Sequence, residues 1–176
     1  MTNYFELYDL PLSFHPDATA VKNKYYELSR KYHPDRFSQS GTAEMSEALG
    51  MAAMNNDAYK TLRNTDATMA YILKLHQLLE DEEKYNLPPA FLMEMMDLNE
   101  AVSDYEGDPD NGTVKQQATN TLAGQLEEWQ QATDQLTQRF DTGDHGNELL
   151  LKIKDQYFRK KYLLRIQERI DRFATH

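Results

Sequence analysis

The sequence predicts an all-α protein: an antiparallel helical hairpin with flanking helices, followed by a three-helix bundle. Three observations carry this. Apolar residues recur at three- and four-residue spacing almost throughout, and no segment alternates as a strand does. The prolines, Pro11, Pro16, Pro34, Pro88, Pro89 and Pro109, interrupt none of the good helical patterns. Gly107-Asp108-Pro109-Asp110-Asn111-Gly112 and Thr142-Gly143-Asp144-His145-Gly146 are strong turn chemistry.

Taken in order, a short helix is expected from Tyr4 to Tyr8. Ala18, Val21, Tyr25, Leu28 and Tyr32 then form one apolar stripe on a helix that starts after Asp17, a good N-cap. It ends near Tyr32-His33, because Pro34 disfavours helical geometry at the residue before it. The partner helix carries Met45, Ala48, Leu49, Ala52, Asn56, Tyr59 and Leu62 on one face, across a loop from His33 to about Gly41. A fourth helix runs from Asp66 to Leu79. The polar stretch from Glu80 to Asn86 and Pro88-Pro89 mark a change of domain, giving domains 1–79 and 89–176 with 80–88 as linker. The bundle helices span about Pro89 to Tyr105, Val114 to Phe140 and Asn147 to Phe173. The middle one is striped by Leu122, Leu126, Trp129, Thr133, Leu136 and Phe140, so Trp129 reads as core.

Composition narrows the function. The 176 residues carry 29 Asp and Glu against 19 Lys and Arg, a net charge of −10, which argues against a whole-chain electrostatic grip on nucleic acid. There is no cysteine, hence no disulfide framework, thiolate metal site or cysteine nucleophile. The apolar runs are too short to span a membrane, and the N-terminal residues carry no signal-peptide pattern, so a soluble cytoplasmic protein is expected. His76 and His145 have no metal-ligand company, and no nucleophile–base pair or phosphate loop stands out. No cofactor is expected.

Two features remain. The first is His33-Pro34-Asp35, at the end of a helix bearing Lys22, Lys24, Arg30 and Lys31, which reads as the one notable basic surface. The tripeptide occurs twice. In His15-Pro16-Asp17 the aspartate is accounted for as a helix cap, whereas the second copy lies in mid-hairpin, where no cap is needed. The plain alternative is a solvated lysine face beside a tight turn. The second feature is the helix after Pro89. Phe91, Met95, Leu98, Val102 and Tyr105 suffice to bury it, and at about 100° per residue Leu92, Met93 and Met96 point elsewhere, with Asp97, Glu100 and Asp104. This is either an adaptable binding patch with an acidic rim or packing against the first domain.

Tyr4-Phe5-Glu6-Leu7, Leu10-Pro11, Phe14, Lys24-Tyr25-Tyr26-Glu27-Leu28, Lys31-Tyr32-His33-Pro34-Asp35-Arg36-Phe37 and Asn56-Asp57-Ala58-Tyr59-Lys60-Thr61-Leu62 together resemble a J domain. Ala70-Tyr71-Ile72-Leu73-Lys74-Leu75 and the short three-helix extension narrow the resemblance to the HscB family of iron–sulfur cluster co-chaperones, of the bacterial type. It is most specific through residue 75 and continues at Phe91-Leu92-Met93-Glu94. Asn64-Thr65 and Thr68 depart from the family pattern, at the start of the fourth helix.

The resemblance implies a non-enzymatic adaptor with two partners. The J domain docks on an HscA-like chaperone of the seventy-kilodalton heat-shock class and triggers its ATP hydrolysis. Lys22, Lys24, Arg30 and Lys31 would steer encounter with an acidic surface, and Asp35 would accept charge-assisted hydrogen bonds. Pro34 stiffens the loop, while His33 either donates a hydrogen bond or packs the loop. Leu92, Met93, Met96, Asp97, Glu100 and Asp104 match positions with which the family holds the IscU-like cluster scaffold, and Phe158 matches a further contact. A general J-domain co-chaperone for unfolded clients is the alternative, against which stands the absence of Gly/Phe-rich and zinc-binding segments. An enzyme using His33 and Asp35 as acid and base is a third reading, without accompanying substrate-binding residues.

Overall fold

The structure, a computed structural model, describes residues 2–174, and the chain divides into two units between His76 and Gln77. All regular structure among these residues is helical.

In the first unit α1 (Tyr4–Leu7) is closed by a capping box: Asn3 Oδ1 accepts from the Glu6 N–H and the Glu6 carboxylate accepts from the Asn3 N–H. Helix α2 (Ala18–Lys31) is capped as expected by Asp17, whose Oδ1 accepts from the Ala20 N–H at 2.8 Å. A single 3-10 turn, Pro34–Phe37, leads to α3 (Thr42–Leu62) and α4 (Thr65–Leu75). Tyr25 of α2 meets Tyr59 and Asn56 of α3, and Ser29 meets Asn55, so the hairpin is antiparallel. Phe5, Tyr8, Phe14, Val21, Leu28, Ala48, Ala58, Leu62, Met69, Ile72 and Leu73 are its buried apolar set.

The inward face of α3 differs from expectation. Leu49 is 51% exposed and Asn56 is exposed, whereas Asn55 is buried. Alanines and methionines lie on several sides of α3, so apolar spacing alone leaves its phase undetermined. The polar partners determine it. The Tyr8 hydroxyl donates to Asn55 Oδ1 at 2.7 Å, and Asn55 Nδ2 donates to the Tyr25 carbonyl and Ser29 Oγ at 3.0 and 3.1 Å. One carboxamide thus ties α1, α2 and α3, its buried groups satisfied. At α4, Asn64 is the N-cap, accepting from the Ala67 N–H, and Thr68 Oγ1 donates to the Thr61 carbonyl from a fully buried site. Those departures from the family pattern therefore form a sound helix start. The helix ends at Leu75 rather than Leu79, since Gln77 takes a left-handed φ of 59°.

In the second unit the expected helix from Pro89 is two helices, α5 (Pro89–Glu94) and α6 (Met96–Gly107), meeting at Met95 with φ −83° and ψ −2°. Helices α7 (Gly112–Asp141) and α8 (Asn147–Ala174) complete the bundle. Phe91, Met95, Leu98, Val102 and Tyr105 are all buried, with Leu122, Trp129 and Phe140 of α7 and Leu150, Ile153, Leu163, Ile166 and Ile170 of α8. The Trp129 indole N–H donates to the Gln156 carbonyl at 2.7 Å. The stretch read as linker is pinned within this unit: Glu83 pairs with Lys154 at 2.7 Å, and the Tyr85 ring stacks on Phe158. Among the described residues no helix is long and apolar enough to cross a membrane.

Candidate functional site

The His33-Pro34-Asp35 loop is built from local chemistry. His33 is the N-cap of the 3-10 turn, its Nδ1 accepting from the Asp35 N–H at 3.3 Å, and Pro34 is the first residue of the turn. That acceptor role places the proton of a neutral imidazole on Nε2. The Arg36 N–H donates to the His33 carbonyl at 3.0 Å, and Ser38 Oγ donates to the Asp35 carbonyl at 3.2 Å. Asp35 keeps its side chain 92% exposed, with Oδ2 3.6 Å from His33 Nδ1. The loop backbone is held while the carboxylate faces solvent. In the other copy the Asp17 carboxylate is taken up by its own helix.

The four cations of α2 do not share one face. At about 100° per residue, Lys22 and Arg30 lie toward one flank of the exposed surface and Lys24 and Lys31 toward the other. Lys24 is held by Asp9 at 2.8 Å and approaches Glu27 at 3.8 Å, and the Asp9 hydrogen bond raises its pKa above the usual lysine value. Lys31 lies over the Tyr32 ring. Arg30 instead joins Tyr26, Ser29, His33 and Arg36 around a shallow hollow of about 400 Å³. Tyr26 and Arg36 are candidates that sequence reasoning passed over. Their signal was available, since Tyr26, Arg30 and His33 follow at four- and three-residue spacing on one face. Nor is α2 the one basic helix: α8 carries eight Lys and Arg against four Asp and Glu. Several of these are paired, Lys154 with Glu83, Arg159 with Asp155 and Arg169 with Glu106.

On the second unit Leu92, Met93 and Met96 are 43%, 69% and 64% exposed, and Asp97, Glu100 and Asp104 are exposed too. An apolar cluster with a carboxylate rim therefore lies outside the core of the C-terminal unit. Phe158 is placed differently. It is 8% exposed, its ring 4.4 Å from that of Tyr85 and nearly parallel to it. Burial, and a hydrogen bond donated to Asp155 at 2.7 Å, push the Tyr85 hydroxyl up to about 12. Among the described residues no group of acidic and histidine side chains has the arrangement to hold a metal ion.

Residues 87–171 match the family model described as the HSCB C-terminal oligomerisation domain. A co-chaperone protein HscB homologue of Vibrio cholerae (strain ATCC 39541) is 33% identical over 148 residues, covering 76% of this chain and 86% of that protein. The chain belongs to the HscB co-chaperone family. The HscB homologue of Vibrio atlanticus is 36% identical over 103 residues, covering 58% of this chain and 60% of that one. The human co-chaperone HscB crystal structure superposes with a TM-score of 0.75 at 28% identity, covering 97% of this chain and 81% of the human one. Chaperone HscB from Vibrio cholerae gives 0.72 at 25% identity, covering 99% and 98%. As in HscB, the helices form an all-α fold, a J domain followed by a helical C-terminal domain, and the protein is a co-chaperone.

Proposed function

We propose that this co-chaperone joins two partners in iron–sulfur cluster assembly. Its J domain docks on an HscA-like ATPase chaperone through Asp35, His33 and Pro34, with Lys22, Lys24, Arg30 and Lys31 assisting approach. Its C-terminal unit holds an IscU-like scaffold through Leu92, Met93 and Met96 with Asp97, Glu100 and Asp104, with a further contact at Phe158, only 8% of which is open to solvent. The protein catalyses no reaction in this reading; the ATP is hydrolysed on the chaperone, and the cluster is cargo of the scaffold.

The observation that carries the reading is the display of three large apolar side chains beside three carboxylates, which a bundle with an adequate core does not need. The test is a chaperone ATPase assay with and without scaffold. Stimulation by this protein that rises further with scaffold supports both halves. Stimulation indifferent to scaffold, with other unfolded clients serving as well, favours the general co-chaperone instead. The description of the matching family model favours a second use of the C-terminal unit, contact between copies. Sedimentation across a concentration series, with and without scaffold, separates the two: self-association that scaffold suppresses uses the same face, and self-association indifferent to scaffold uses another.

A further inference from the structure

Helix α5 has six residues and lacks a side-chain N-cap, since Pro88 occupies that position. So short a helix does not hold its own backbone in water. It nevertheless carries Leu92 and Met93, whereas Met96 lies across the break on α6. The apolar cluster is thus divided between two segments that meet at Met95, where the Met95 N–H donates to the Phe91 carbonyl at 3.1 Å and the Met95 carbonyl accepts from the Asn99 N–H at 2.9 Å, so that side-chain contacts at this one residue bear on how the two halves meet.

One side chain of α8 touches both segments. The Tyr162 ring meets Phe91, the buried residue of α5, in a T-shaped contact with centroids 5.5 Å apart. Its hydroxyl accepts from Asn99 Nδ2 at 2.7 Å, and the same nitrogen donates to the Met95 carbonyl at the break at 2.9 Å. Phe91 is held on another side by the Arg159 guanidinium, 4.8 Å from its ring, and Asp155 fixes Arg159 by a 2.6 Å bond to its Nε. The path from Tyr162 to the break is continuous: hydroxyl, carboxamide, carbonyl of residue 95.

We propose that Tyr162, acting through Asn99 and Phe91, is a positioning residue that sets the angle between α5 and α6, and so the fit of the Leu92, Met93 and Met96 cluster to its partner. The inference rests on that cluster being the scaffold contact. Tyr162 makes no contact with the partner; it lowers the ordering cost of a surface divided between two segments.

Tyr162→Phe keeps the ring and removes the hydroxyl. The expected result is a three- to tenfold weaker scaffold affinity, the size of about one hydrogen bond, with little change in melting temperature. Amide exchange should quicken at residues 91–96 and not along α7. Asn99→Ala, which keeps Tyr162 intact, should give a similar loss, and the double variant no more than either alone. A general loss of stability would instead add and would quicken exchange throughout the bundle, which overturns the proposal. So does undiminished binding by Tyr162→Phe when a Leu92→Ala, Met93→Ala variant has lost it. If the Leu92 and Met93 variant itself binds normally, the scaffold assignment fails, and exchange at 91–96 judges the clamp separately: unchanged rates there overturn it.

Discussion

Asp35 leaves its carboxylate in solvent, 3.6 Å from a histidine that caps the same turn, and no packing of the first unit depends on it. Asp35→Asn should therefore fold normally, within about 0.5 kcal/mol of the parent. It should lose a charge-assisted bond of about 1.5–3 kcal/mol on docking, roughly ten- to hundredfold in affinity. A chaperone ATPase titration checks this, with His15→Gln as a comparison that should stimulate nearly as well as the parent. Full stimulation by Asp35→Asn would remove the assigned role. Two buried polar residues give opposite expectations in thermal melts. Asn55→Ala removes the carboxamide bonds to Tyr8, Tyr25 and Ser29, leaves the Tyr8 hydroxyl only the residue 55 carbonyl at 3.1 Å, and should cost about 1–3 kcal/mol. Thr133 Oγ1 is buried with no hydrogen-bond partner among the described residues, so Thr133→Val should be neutral or stabilising by up to about 1 kcal/mol. The cap at Asp17 was legible because its chemistry is local, whereas the cap at His33 was not, since the second copy reads as a loop that needs none and instead opens a 3-10 turn. Nor was Asn55. An asparagine in a helix reads as surface, and only partners far along the chain, Tyr8, Tyr25 and Ser29, make it core.

Helix boundaries were legible wherever a proline, glycine or cap stood at the end. The break at Met95 was not, because Glu94-Met95-Met96 contains only good helix formers and no proline, glycine or cap marks the junction. The exposed face nevertheless followed from the sequence, since Leu92, Met93 and Met96 fall off the buried stripe on either side of the break. Replacing all three by alanine should leave the melting temperature nearly unchanged, lower scaffold affinity by at least about tenfold, and spare scaffold-free stimulation of the chaperone. Had these side chains been core, each truncation would cost about 2–5 kcal/mol and the bundle would melt early. On α2 the cations should prove unequal. Arg30→Ala should slow chaperone association and flatten its salt dependence, because exposed charges act over about 8 Å at physiological ionic strength. Lys24→Ala should do less, its ammonium being engaged with Asp9. Equal slopes from the two variants in stopped-flow association at several salt concentrations would contradict this division.

Across the whole chain, acid should act on the C-terminal unit through carboxylates that the fold holds ionised. The hydrogen bond from Lys154 lowers the Glu83 pKa, and the Gly146 N–H, with Arg139, lowers that of Asp144. A folded value below the unfolded one gives stability that is present above about pH 4.3, the ordinary glutamate value, and lost as pH falls through the folded value. Melts between pH 7 and pH 3 should show that decline, and Glu83→Gln should make it shallower. An identical acid limb in the variant would exclude Glu83 as a source. The residues that hold the C-terminal fold and those that face outward are largely separate sets, and α5 shows this most plainly. Of its six residues only Phe91 is buried. The other five positions are free to drift without eroding the core, so selection can retune this surface in small steps. In a saturation library across 89–94, folding should fail at one position, while partner preference varies at the rest.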